Sequence, residues 1–510
     1  MMTGSVLHRF GRIGLSLVLS VASFAADPDA NLADAARRSD RPRVRALLQD
    51  HADVNAALVD GMTALHWSAF LDDVATAELL IKAGANVHAE SRYGVTPLTL
   101  ACQNGNGPLV EKLLAAGADP DTRLRGGETA LMTAARTGRS GPVKALLAHG
   151  ANIDARERRG QTALMWAAAE GHAVVVESLV SVGADFRTPL VDSGFTPFFF
   201  AARNGRADVA RILLKAGVDV NETMQPQKPR GKSPRKGTSA LILAVENGHF
   251  ELALALLDAG ADPNDERSGF SPLHTMTWVR KPPRGEDRGA PPPLGSGDVG
   301  SLQFVKKLVE HGAEVNLRLE NGRGGPGQFN KLGATPFLMA ASTADIDYMK
   351  LLVSLGADPS LGNADNCTPL MVACGIGVGS DAANETAGEE PEVLEAAELL
   401  LSLGADINAA DANGETAMHG AALKNLPRVI QFLADKGARI EVWNQKNKYG
   451  WTPLLIGEGH RPGNFKPSAE TVVAIHRIMR VAGITPPAPT PEPGTDLKKP
   501  WSPPASGLQN

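Results

Sequence analysis

GVTPLTLACQNGNGPLVEKLLAAGAD, the stretch from Gly94 to Asp119, recurs in altered form eleven times along the chain. Each copy is anchored on a Thr or Ser, then Pro or Ala, then Leu, Phe or Met: Thr63, Thr96, Thr129, Thr162, Thr196, Ser239, Ser271, Thr335, Thr368, Thr416 and Thr452. The first four anchors are 33 residues apart. A fixed period in the thirties predicts a stacked solenoid in which each unit buries its apolar face against its neighbours.

One copy, GGETALMTAARTGRSGPVKALLAHGAN (126–152), contains the physics of the unit. Thr129 supplies a side-chain acceptor for the orphan amides at a helix start, and in other copies a Pro follows where its missing N–H costs nothing. Ala134 and Ala135 are small enough to admit a neighbouring helix. Gly138, Gly141 and Pro142 break the chain into a second helix. That helix carries Val143, Leu146 and Leu147 on one stripe. Gly150 then stops it, as Gly84, Gly117, Gly183, Gly217, Gly260, Gly312, Gly356, Gly404, Gly437 and Gly483 do elsewhere, each suited to a left-handed residue. An Asp/Asn-rich link turns into the next copy.

The unit resembles the ankyrin repeat. The T-P-L-H, A-A, G-H, L-L and G-A-D signposts of that family stand here as Thr63-Ala64-Leu65-His66, Ala201-Ala202, Gly248-His249, Leu213-Leu214 and Gly260-Ala261-Asp262. The resemblance covers about residues 31 to 484. It implies an all-α solenoid of helix pairs with projecting hairpin fingers, and binding of another protein through its concave face rather than catalysis. The His of T-P-L-H remains only at His66, His274 and His419, so cohesion is expected to rest on apolar packing. Residues 31 to 55 form a degenerate first unit with His51 where Gly belongs, as a terminal cap does.

The ends differ from the array. Residues 1 to 26 combine Arg9 and Arg12, the apolar run Ile13 to Phe24, and Ser23-Phe24-Ala25 as a small-residue cleavage pattern. This order predicts an export signal, and hence a periplasmic or extracellular protein. The Pro-rich stretch 485–510 is expected to be a disordered tail. With 51 basic against 56 acidic residues, the chain has no overall attraction for nucleic acid or anionic membrane, and no stretch is long enough to span a bilayer. Three Cys make no disulfide framework. Cys102 and Cys374 occupy small packing slots. Cys367 lies about 9 Å from Cys374 along a helix, too far to bridge it.

Four insertions break the period, near 224–237, 277–300, 317–332 and 375–392. The first carries Lys228, Arg230, Lys232, Arg235 and Lys236 without an acid. The last carries Asp381, Glu385, Glu389, Glu390 and Glu392 without a base. No catalytic, cofactor-binding or metal-ligating constellation stands out: HExxH, CxxC, GxSxG and the phosphate-binding GxxxxGK[ST] are all missing. An enzyme built into an insertion, dependent on a metal or cofactor, is the first alternative to a binding scaffold. Polyanion binding through 228–236 is the second. Trp67 and Trp166 are read as packing residues.

What the resemblance implies about the surface is more specific. In ankyrin-like arrays the residue before the capping Thr and the two after Ala-Ala face the concave side. This places Phe195, Phe270 and Trp451, with Gln103, Asn104, Arg136, Arg203 and Asn204, as the expected partner-binding set, since aromatics with Arg and amides are typical interface anchors.

Overall fold

A computed structural model describes residues 31–227, 235–281, 293–322, 329–376, 389–460 and 467–488. The expected export signal, the stretch beyond 488, and Lys228, Arg230, Lys232, Asp381 and Glu385 lie outside those residues. The chain forms two compact units. The first runs to Asp262 and includes Gly295–Asp298; the second runs from Pro263 to Leu294 and from Val299 onward.

All eleven anchors begin helices. In the Thr129 copy, Thr129 caps Ala130–Thr137 by accepting from the Met132 N–H at 3.2 Å, Gly138 closes that helix at φ +74°, and Ser140–Ala148 follows. The same pair recurs from Thr63 to Thr452, preceded by Asn31–Arg37 and Arg41–Gln49. His51 is left-handed at φ 59°, so it does the work of the missing Gly in that first pair. Among the described residues β structure is limited to isolated antiparallel bridges at Ala57–Thr63, Arg123–Thr129 and Thr223–Ser239. The core combines first-helix residues such as Leu131, Ala134, Ala135, Phe198, Ala201 and Ala202 with second-helix residues such as Val143, Leu146, Val209 and Leu213.

The fingers share one turn. In the Thr129 finger, the Leu124 N–H donates to Glu128 O and the Gly127 N–H donates to Leu124 O, both at 2.8 Å. Two insertions fit inside this turn without disturbing it. Met224 pairs with Thr238 and Gly237 at 2.9 Å, and Leu319 pairs with Ala334 at 3.0 Å and Gly333 at 2.8 Å. The other two insertions are shorter than expected. The helix Pro272–Arg280 continues past Thr277 because Thr277 and Val279 are buried. The helix Glu390–Ser402 begins inside the acidic run, with Glu389 and Glu392 forming a capping box where the helix dipole favours carboxylates.

Polar coupling between repeats exceeds what three His residues supply. His66 accepts from the Thr63 N–H at Nδ1, so its Nε2–H donates to Val95 O of the next repeat at 2.9 Å. His274 reaches Ala334 O at 3.0 Å. A second ladder is carried by Asn and Asp at the finger base. In the first unit, Asn55, Asp121, Asp154 and Asn221 accept from the N–H of Asn86, Asn152, Asp185 and Asp262 at 2.7–2.9 Å. In the second, Asn264, Asn316 and Asn408 accept from Glu314, Asp358 and Arg439. Asn221, Asn264 and Asn316 also donate to the carbonyls of Gly260, Gly312 and Gly356 at 3.0–3.1 Å. Each such residue closes the second-helix end of the repeat that follows.

Candidate functional site

The first helices of the first unit carry a row of cations lying on aromatic rings, Arg37 exposed and Arg136 and Arg203 half-buried. Arg136 stands seven residues after its cap, Thr129, and its guanidinium lies 5.9 Å from the ring of Trp166, four residues after the next cap. Arg37 and Trp67 repeat this pair at 6.0 Å. Both pairs have the same 30-residue offset in sequence. Arg203 is built differently. It covers Phe195 at 4.7 Å and Phe200 of its own repeat at 5.2 Å, and the two rings lie 4.8 Å apart. Burial lowers the Arg203 pKa, although the guanidinium remains charged.

The expected aromatic anchor Phe195 is therefore not exposed. Its residual accessibility is 3 %, because Phe200 and the Arg203 guanidinium cover it, and Arg203 above it is itself half-buried. The amides also have structural partners. Asn104 Nδ2 donates to Ala69 O at 3.0 Å and Phe70 O at 2.8 Å, and Asn204 Nδ2 donates to Ala169 O at 2.9 Å. Each ties its repeat to the one before. Lys424 occupies the same slot in the second unit. A Cβ on Gly375 would lie 2.7 Å from its Cγ, and burial lowers its pKa to about 8. Gln103 is exposed.

In the second unit Phe270 is half-buried, edge-on to Trp278 at 4.7 Å, with Lys331 Nζ 5.1 Å from its ring. Trp451, also half-buried, stacks on Tyr449 at 5.2 Å, and its N–H donates to Asn447 Oδ1. The described end of the basic insertion turns back onto the first helices, where Arg235 pairs with Glu246 at 2.7 Å. Burial raises the Glu246 pKa, opposed by Arg235. The acidic run is partly structural. Glu392 pairs with Lys281 at 3.1 Å, and Glu390 accepts from the Arg428 N–H at 2.6 Å. Cys102, Cys367 and Cys374 are free, buried thiols, and burial pushes the Cys374 pKa up to about 12. Arg37 escaped the sequence reading, and its signal was the 30-residue offset to a Trp shared with Arg136 and Trp166.

Comparison with known proteins places these features in a family. The model described as "Ankyrin repeats (3 copies)" matches residues 32–124, 98–189, 131–224 and 386–461, together more than half of the chain, and "Ankyrin repeat" matches 236–267. The chain is 31% identical over 139 residues to "Ankyrin repeat, SAM and basic leucine zipper domain-containing protein 1" of Dasypus novemcinctus, covering 27% of this chain and 25% of that protein. It is 39% identical over 84 residues to "Neurogenic locus notch homolog protein 1" of Xenopus tropicalis, covering 15% of this chain and 3% of that protein. The chain thus spans a quarter or less of these two relatives. A crystal structure of the human ASB11 ankyrin repeat domain aligns at 26% identity and a TM-score of 0.40, covering 47% of this chain and all of that one.

Proposed function

The chain belongs to the ankyrin repeat family, a module that generally mediates protein–protein interaction, and on that premise we propose that it is an exported, non-catalytic scaffold that holds another protein against its first-helix face. The observation that carries this reading is the pair of half-buried cations Arg136 and Arg203, Arg136 over the half-buried ring of Trp166 and Arg203 over the buried rings of Phe195 and Phe200. A guanidinium fixed in this way loses little freedom on binding, and Arg over an aromatic is a common interface anchor. Gln103 extends the face in the first unit, and Phe270 and Trp451 are the anchors of the second. Phe195 supports the face from beneath, and Asn104 and Asn204 tie it to the preceding repeats. The basic, apolar, small-residue order of residues 1 to 26 supports export.

Affinity purification from the exported fraction with the wild-type chain and with Arg136→Gln/Arg203→Gln tests the binding face. A co-purifying protein recovered by the wild type and lost with the variant is the expected result. Equal recovery by both removes the face. Mass spectrometry of the mature N-terminus, expected near Ala26 or Asp27, tests export separately. An intact Met1 on cytoplasmic protein refutes it.

A further inference from the structure

The fingertips of the first unit carry a second ordered row of cations that the first-helix face does not use. Arg92, Arg125 and Arg158 occupy one slot in three successive repeats, 33 residues apart, and all three are exposed. The same slot one repeat earlier is Val59, 88% exposed, and one repeat later Val191, 61% exposed. The row is pinned. Arg92 Nη2 donates to Val59 O at 2.9 Å and Arg125 Nη2 donates to Arg92 O at 2.5 Å, each guanidinium reaching the same slot of the preceding finger. The Arg158 N–H donates to Gly126 O at 3.4 Å.

Two features separate this row from an ordinary solvated face. The fingers 85–95, 118–128 and 151–161 contain Arg and no Lys, so every cation is a planar fork suited to carboxylates. Several of their own carboxylates hold backbone N–H groups rather than these guanidinium groups. Asp121 and Asp154 accept backbone N–H groups of the next repeat, and Glu157 accepts from the Arg159 and Gln161 N–H groups. Among the described residues Arg92, Arg125 and Arg158 form no ion pair.

We infer that this strip is a docking site for an extended acidic segment of a partner protein, with a carboxylate at every third residue and an apolar residue at either end. Stacked helices lie about 8–10 Å apart. A polyproline II segment advances about 3.1 Å per residue with three residues per turn, so every third side chain falls on one face about 9 Å apart. Three carboxylates in that register meet Arg92, Arg125 and Arg158, and the flanking apolar residues meet Val59 and Val191. A β-strand alternates its faces and puts every third residue on the wrong side. A uniform polyanion has nothing to set against the two Val. The inference rests on the protein-binding reading and adds a second surface with a stated partner chemistry.

The test is fluorescence anisotropy on the full chain with a labelled peptide carrying Glu at every third position, Pro and Ser between, and Val at both ends. A peptide of the same composition with its Glu residues clustered, and an oligodeoxythymidylate, serve as comparisons. The registered peptide is expected to bind at least about tenfold more tightly than either. Arg92→Gln/Arg125→Gln/Arg158→Gln is expected to remove that preference. The Lys triple, which keeps the charge, is expected to lose most of it with an unchanged melting curve, which separates recognition from loss of the finger braces. Equal binding of the two peptides, oligonucleotide binding as tight as the registered peptide's, or full affinity in the Lys triple would overturn the inference. Arg136→Gln/Arg203→Gln is expected to bind the registered peptide normally. Loss of peptide binding there but not in the fingertip triple would refute the strip and leave the scaffold reading standing.

Discussion

Replacing Arg280 by Met should unfasten one repeat of the second unit. Arg280 Nε and Nη2 donate to Asp345 Oδ2 and Oδ1 at 2.7 and 2.9 Å, and Asp345 is the N-cap of the helix Ile346–Ser354. The Asp345 side chain is 4% exposed. Met preserves the apolar stem and removes both charged donors, leaving a buried carboxylate whose remaining contact is the Tyr348 N–H at 3.2 Å. Removing one partner of a buried ion pair costs about 3–5 kcal/mol, and that residual bond favours the low end, about 3. A repeat array need not unfold as one unit, so the informative assay is hydrogen exchange resolved by helix. A cost of about 3 kcal/mol corresponds to exchange about 150-fold faster in Ile346–Ser354. The control is Arg211→Met, which breaks an exposed pair with Asp208 and is expected to change exchange in its own helix, Ala207–Lys215, by less than about threefold. Unchanged protection in Ile346–Ser354, or equal effects of the two substitutions, would refute the reasoning.

Gly150→Val should destabilise by about 1–3 kcal/mol, against less than about 0.5 for the exposed Lys144→Ala. Gly150 has φ +84° with open space around it, so the cost is backbone strain alone, and equal denaturation midpoints would contradict it. Phe195→Ala should cost about 3 kcal/mol of stability, because the ring is buried beneath Arg203; a midpoint unchanged from wild type would return Phe195 to the surface. His274 has its pKa lowered to about 4 by burial, so its neutral form favours the fold above the unfolded value near 6.5, and that contribution is lost as pH falls from 6.5 toward 4. Its loss amounts to about 3 kcal/mol, and a His274→Gln variant should show a correspondingly flatter decline in stability over that window; parallel declines would refute the assignment.

The period, the capping Thr or Ser and the stopping Gly were legible because each is a local backbone requirement repeated in phase. Helix limits at the insertions were not. Thr277, Trp278 and Val279 read as the start of a loop, yet Thr277 and Val279 gain burial by staying helical. Glu389, Glu390 and Glu392 read as a solvated charge run, yet a helix start favours acids. The short helix Ile440–Trp443 went unread because no Gly or Pro frames it within the finger. At the candidate site the face was legible from register and the exposed chemistry was not. A ring before the cap is exposed only if nothing covers it, and the covering of Phe195 depends on Phe200 and Arg203 sharing one repeat. The Asn and Asp ladder was hidden because one residue looks like ordinary turn chemistry until its partner in the next repeat is in place.

That ladder also has a direction. The amide that closes a second helix belongs to the repeat before it, as Asn264 closes Ser301–Glu310 through Gly312 O and Asn316 closes Ile346–Ser354 through Gly356 O. During vectorial synthesis, which releases the N-terminal side first, each new helix end meets a partner already in place. Assembly in the opposite order would leave the helix ends at Gly260, Gly312 and Gly356 open until the preceding repeat arrived. Trimming the chain from the N-terminal side up to Asn264 or Asn316 therefore unseals the helix end at Gly312 or Gly356, whereas trimming from the C-terminal side after either glycine leaves that helix end closed.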